Sequence, residues 1–358
     1  MLYRENGQLK TSYRSDQQIL PISQDRYMLF ALLLIVFFVI PMAASDYFLR
    51  AIGVPFLIIS LAALGVNILV GYCGQISLGS GAFMAIGAYG AFGFMSRIPG
   101  MPLVVALFLG GALAMIYGII FGLPSLRVKG LYLAVTTLAA QFFSDWLFLR
   151  VKWLTNYSTS GSVSGGPLII GGWHIDTPAE KYVLCLAFVL FFTMIAKNLV
   201  RSAVGREWMA IRDMDVAAAV IGIRPVYAKL SAFAVSSFII GVAGGLWAFV
   251  HLGAWEPAAF SVEISLKLLF MVIIGGLGSI MGGFLGAGFI VLLPILLSQL
   301  LPVFGSLFGL TISTATISHI ETIVFGALIV WFLIVEPHGL SRLISLAKQR
   351  LRVWPFPH

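Results

Sequence analysis

Apolar residues fill this chain in long runs, and polar residues gather in the shorter stretches between them. A helix needs about 20 apolar residues to cross a hydrocarbon core of about 30 Å. Runs of that kind lie near 27–44, 51–70, 81–96, 103–123, 131–149, 182–200, 230–250, 264–276, 283–301 and 319–335. The eighth is short for a full crossing, so it is expected to be broken, re-entrant or fused with the ninth. The pattern predicts an all-α fold: a polytopic transmembrane helix bundle of about ten helices, with eight as the alternative.

Composition carries the same message. The chain is 60% hydrophobic and only 10% charged, with a mean hydropathy of +1.01. A soluble domain has about 25% charged residues, and no single aqueous core of this size would hide so much apolar surface. One membrane domain is expected over 27–341. A polar N-terminal tail at 1–26 precedes it and a basic C-terminal tail at 342–358 follows. The first apolar run lacks a clearly placed small-residue cleavage site and is read as a retained anchor.

The net charge of +8 comes from basic residues held in a few loops, which excludes a nucleic-acid reading. With the N-terminus placed in the cytoplasm, sixteen of the 22 Lys and Arg fall inside. They are Arg4, Lys10, Arg14 and Arg26; Arg127 and Lys129; six from Lys197 to Lys229; and four from Arg342 to Arg352. Both termini are therefore expected in the cytoplasm, and the Gly/Ser-rich loop 150–181 on the other face. Trp146, Trp153, Trp173, Trp247, Trp255 and Trp331 lie mostly near run ends and read as interfacial anchors.

The glycines cluster. GYCGQISLGSGAFMAIGAYGAF starts at Gly71 and GGLGSIMGGFLGAGF at Gly275, sharing the spacing G-x-x-G-x-I-x-x-G. Matched glycine-interrupted segments in two halves of a membrane protein point to a binding site or pathway. Unwound backbone at membrane depth survives only where protein or a wet cavity surrounds it. Gly71, Gly74, Ser77, Gly79, Gly275, Gly276 and Gly278 are the candidates for such a role. Close helix packing through small residues is the other reading, and sequence alone leaves both open.

The longest inside loop, 197–229, has a pattern of its own. In VGREWMAIRDMDVAAAVIGIRP, from Val204 to Pro225, Ala210, Met214, Ala217 and Ile221 follow helical spacing. Arg206, Arg212, Asp213 and Asp215 surround that stripe, and Gly222 and Pro225 end it. One or two short helices outside the bilayer are expected, either as a docking surface for a partner or as an ordinary interfacial helix. Within the runs, Asp145 is the one acidic candidate; it either faces a partner or cavity or, lying near the end of its run, simply reaches the interface. Thr136 and Thr137 are expected to bond their own helix backbone. His251, Glu256, Glu263, Lys267, His319 and Glu321 sit at predicted outer helix ends.

Catalytic and metal sites are not expected. The chain has no G-x-x-x-x-G-K-[ST], H-E-x-x-H or G-x-S-x-G. Its five histidines are scattered, and Cys73 and Cys185 fit no redox or metal spacing.

Five blocks in register resemble one family: NILVGYCGQISLGSGAFMAIGAYGAF, LRVKGLYLAVTTLAAQFF, GREWMAIRDMDVAAAVIGI, SLKLLFMVIIGGLGSIMGG and the terminal EPHGL. They are similar to the branched-chain amino acid ABC transporter permeases, of the M-type kind in the Liv system. After Trp153 the chain departs from that pattern, with SGSVSGGP in place of a Thr-Gly-Gly stretch. The resemblance implies a non-catalytic permease of a bacterial inner membrane. It implies a second homologous permease subunit, two cytoplasmic ATPase subunits that bind the ATP, and a periplasmic solute-binding protein. It makes 204–223 the ATPase-coupling segment, with Gly205, Arg206, Ala210, Arg212, Asp213, Ala217, Ala218 and Gly222 as matching positions. A permease for urea or short amides is the neighbouring alternative. A secondary transporter would place ionisable residues deep in several spans, which this chain does not.

Overall fold

The structure is a computed structural model and describes residues 11–12, 23–126, 130–158, 160–166, 168–170, 173–307, 314–335 and 339–353. Most of the N-terminal tail, Arg127, Lys129 and residues 336–338 lie outside the described residues. In lipid every backbone N–H and C=O must find a partner within the protein, and helices do this locally. Each of the ten apolar runs accordingly falls on a helix.

The first helix, α1 (Ser23–Leu34), continues through a π turn to Ala43. Next comes α2 (Val54–Asn67), entered from Asp46 and closed by a π turn at Ile68–Tyr72. Then follow α3 (Ser80–Arg97), α4 (Leu103–Gly122), α5 (Leu131–Arg150) and α6 (Pro178–Arg201). Helix α7 (Ala203–Val220) stands apart as an arm. Helix α8 (Pro225–Leu246) is extended by a π turn at Trp247–Leu252. The last four are α9 (Val262–Gly275), α10 (Ile280–Leu307), α11 (Thr314–Val335) and α12 (Gly339–Val353). Proline opens α6 and α8, where its missing N–H costs nothing, and a reciprocal Thr177–Glu180 capping box closes the start of α6.

Among the described residues, eight helical stretches are long and apolar enough to cross a membrane: 26–43, 46–72, 103–122, 132–150, 178–201, 225–252, 257–275 and 280–302. The short eighth run is lengthened by a turn of 3-10 helix at Pro257–Phe260 and is cut off from α10 by residues 276–279. Helix α3 is not among the eight, because glycine, serine and tyrosine dilute its hydropathy. Its surroundings are protein: Phe83, Tyr89, Ala82 and Ala88 are fully buried. Glycines let α4 and α8 approach it. A Cβ at Gly87 would collide with Gly241, and one at Gly110 with Gly87. Close approach through small residues is how membrane helices gain van der Waals contact where lipid gives no hydrophobic drive.

Two units of the bundle share a plan. Helix α2 ends in a π turn, passes Gly74 at φ +70°, runs without helix over 73–79 and restarts as α3. Helix α8 ends in a π turn, passes Gly253 at φ +74° and restarts as α9 after 253–261. The two restarts meet where Gly81 N–H donates to Ser265 Oγ (2.7 Å), and beside them Gln141 Nε2, on α5, donates to Phe260 O (2.7 Å). Away from the arm, the Gly/Ser loop forms two short antiparallel ribbons, one pairing Val163 with Trp255. Tyr89 Oη donates to Gly161 O (2.8 Å) and fastens that loop to α3.

Candidate functional site

The arm is built as two short helices. Met214 leaves helical geometry (φ −156°, ψ 96°) and divides α7. The first half is anchored. Trp208 is fully buried and its Nε1 donates to Ser231 Oγ on α8 (2.9 Å). Ile211 is buried as well, and in the second half Ala218 is the buried residue that faces back. Gly205 lies against the Val200 backbone with no room for a Cβ, and Arg206 Nη1 donates to Arg201 O (3.1 Å). The second half turns its apolar side outward. Met214, Val216, Val220 and Ile221 are each at least 70% exposed. Ala217 is exposed and Ala210 half-buried. Gly222 (φ +94°) then releases the chain toward α8.

Arg212 sits just before the division and reaches into the bundle. Its Nη1 donates to Gly71 O (3.0 Å) and its Nε to Asp213 Oδ1 (2.9 Å). Gly74 packs against the Arg212 side chain, where a Cβ would come within 2.9 Å of Cγ. Beside it Lys229, 4% exposed, faces Asp215 at 3.9 Å. These residues, with Cys73, Gln75, Gly130 and the arm from Ile211 to Val216, line a cavity of about 440 Å³. Cys73 lies just past the α2 span, and burial pushes its thiol pKa up to about 12.

The second glycine break meets the first here. Asn67 is fully buried. Its Oδ1 accepts from Gly278 N–H (2.9 Å), and its Nδ2 donates to Ser279 O (2.7 Å). A Cβ at Gly71 would collide with Asn67 Oδ1 and with Gly278 N. Gly278 adopts φ +73° and Gly276 φ +116°, so side chains are disfavoured at both. Gly275 lies against Gly282, and Gly339 at the start of α12 lies against Gly276. Gly71, Gly74 and Gly278 thus gather around Arg212. The shared spacing that joins 71–79 to 275–283 is matched by left-handed backbone at Gly74 and Gly278. It is not matched beyond that, since α3 restarts nine residues after Gly71 and α10 five after Gly275.

The remaining predicted positions lie deeper or elsewhere. Ser77 is buried and accepts from Gly79 N–H (3.3 Å). Gly79 abuts Thr137 O. Thr136 Oγ1 donates to Leu133 O (2.8 Å) and Thr137 Oγ1 to Ala134 O (3.0 Å), both within α5. Thr137 also accepts from Leu78 N–H (2.9 Å), which ties α5 to the first break. Asp145 is half-buried farther along α5 and is not brought to the junction.

Sequence reading passed over Asn67, Trp208 and Lys229 as site residues. Asn67 and Trp208 carry a signal in hindsight. Asn67 is the one polar residue between Ser60 and Tyr72 in an apolar run, where a polar side chain needs a partner. Trp208 is the one aromatic residue in the arm.

Fold and junction together define a class: a multi-pass helical membrane protein with an arm outside its apolar spans. Residues 47–333 match the family described as branched-chain amino acid transport system / permease component, and the chain belongs to that family. It is 30% identical over 246 residues to the high-affinity branched-chain amino acid transport system permease protein LivM of Salmonella typhimurium and of Escherichia coli. Each match covers 61% of this chain and 56% of the relative, so the chain spans little more than half the length of these two. A probable branched-chain amino acid transport permease protein LivM from Methanocaldococcus jannaschii is 26% identical over 253 residues, 66% of this chain and 68% of the relative. No solved structure matches the chain.

Proposed function

We propose that the chain is the pathway-forming permease subunit of an importer for branched-chain or related amino acids, driven by ATP hydrolysis on separate subunits. The carrying observation is the arm. It presents an exposed apolar face at Met214–Ile221 while Arg212, at its base, is hydrogen-bonded to a glycine break of the bundle. Four large apolar side chains facing away from the bundle suit a protein partner of matching shape. On this reading two ATPase subunits dock there and bind the ATP, and this chain itself catalyses nothing and binds no cofactor. A second, homologous permease completes the pathway and a periplasmic binding protein delivers solute. The arm then faces the cytoplasm, with both termini, in a bacterial inner membrane, as the distribution of Lys and Arg favours.

The test is uptake of labelled leucine, with labelled urea as comparison, into right-side-out vesicles that hold the assembled system and are loaded with ATP. Leucine accumulation should require ATP and survive a protonophore. Accumulation that follows a proton or sodium gradient without ATP would overturn the reading, and uptake of urea in place of leucine would correct its substrate.

A further inference from the structure

The hydrogen bonds at the junction form one continuous path from the arm to both glycine breaks. Arg212 Nη1 holds Gly71 O (3.0 Å) at the end of α2. Asn67, on the same helix, has its side-chain amide beside Gly71 and spends both ends of it on the turn before α10. Its Oδ1 takes Gly278 N–H (2.9 Å) and its Nδ2 gives to Ser279 O (2.7 Å). A donor toward a carbonyl and an acceptor toward an N–H fix the orientation of the amide, and rotation of that group loses both bonds together.

We propose that Asn67 is a positioning residue for transport: it clamps the 276–279 turn to the end of α2, so that a displacement of Arg212 moves both glycine breaks as a unit. Four observations bear on this beyond the bonds themselves. Asn67 is fully buried, so water does not replace a lost partner. Gly71 and Gly278 approach with no space for a side chain, so the turn has one seat on α2. The helical break at Met214 lies two residues past Arg212, between the clamp and the exposed apolar face. The cavity of about 440 Å³ under the arm gives Arg212 room to shift. A hydrogen bond of 3.0 Å is lost after a movement of less than about 1 Å, so a small arm displacement suffices to change the path. The inference rests on the arm being the docking site of an ATPase.

The experiment uses the assembled transporter in membrane vesicles and reads solute taken up per ATP hydrolysed, beside the amount of this chain in the membrane. The variants are Asn67→Leu, Asn67→Asp, Arg212→Ala and the Asn67→Leu/Arg212→Ala pair. With chain levels near wild type, uptake per ATP should fall on the order of tenfold in Asn67→Leu and in Arg212→Ala. Asn67→Asp keeps the acceptor for Gly278 N–H and lacks the donor for Ser279 O, so it should fall between. The pair should be no worse than the poorer single variant, because the two residues act along one path. Should Asn67→Leu fail to accumulate, Asn67→Asp alone carries the test. A wild-type ratio in the variant that accumulates overturns the proposal. So does uptake and hydrolysis declining in step with chain level in both Asn67 variants, or losses in the pair that multiply. Wild-type uptake without ATP would instead overturn the proposed function, before any variant is made.

Discussion

At Gly71 the difference between a hydrogen and a methyl group decides whether two segments of backbone can touch. Its Cβ would have to share space with Asn67 Oδ1 and Gly278 N, and both of those are backbone or locked by hydrogen bonds. Overfilling a closed site of this kind costs about 1–3 kcal/mol in packing, and parting Asn67 from Gly278 leaves a buried donor unpaired for about 1–3 kcal/mol more. Gly326 on α11 has nothing within 4 Å of the same position. Gly71→Ala should therefore lower the melting temperature of the detergent-purified chain, and Gly326→Ala should leave it within error. Equal melting temperatures for the two variants would show that the 276–279 turn is free to move off α2.

At the scale of elements the arm is the informative piece, because its two halves face opposite environments. The first half is held by Trp208 and Ile211, and the second offers Met214, Val216, Val220 and Ile221 to the outside. Replacing one of the exposed residues removes no contact within this chain. Val220→Asp, at a position 83% exposed, should leave membrane insertion and folding unchanged. If the face docks an ATPase, the same change desolvates an unpaired carboxylate there and should weaken co-purification of that subunit at least tenfold. Retained co-purification would remove the face from the interface. How the arm lies was only partly legible in the sequence. The stripe Ala210, Met214, Ala217 and Ile221 was visible from spacing, and Met214, Ala217 and Ile221 are on the exposed side. One or two short helices were expected, but the position of the break at Met214 was not visible, since methionine is a good helix former. The helices were legible because length and hydropathy alone satisfy lipid. The glycine clusters were legible as breaks. Their convergence on Arg212 was not, since Gly71 and Gly278 lie 207 residues apart and only folding brings them together.

For the whole molecule, the arm end and the ribbon end of the bundle are opposite, and the distribution of basic residues predicts which faces the cytoplasm. Lys197, Arg201, Arg206, Arg212, Arg224 and Lys229 surround the arm, whereas the loop that carries Ser160 and the ribbons holds Arg150, Lys152 and Lys181. Positive charge in short loops resists translocation, so the arm should stay inside and the ribbons should cross. The native thiols do not interfere with a cysteine map of this. Cys73 and Cys185 are both fully buried, and Cys73, with its pKa near 12, holds almost no reactive thiolate at pH 7. A single added cysteine, Ser160→Cys or Val220→Cys, is exposed in either case. In intact cells with a permeable outer layer that express this chain without its ATPase subunits, a membrane-impermeant maleimide should label Ser160→Cys and spare Val220→Cys, and inverted vesicles from the same cells should reverse the pattern. Labelling of both from one side would place arm and ribbons on the same face, which an odd number of crossings between residues 160 and 220 forbids. Labelling of Val220→Cys from outside would turn the arm away from any cytoplasmic ATPase, and the whole scheme of an arm pulling on glycine breaks would fail with it.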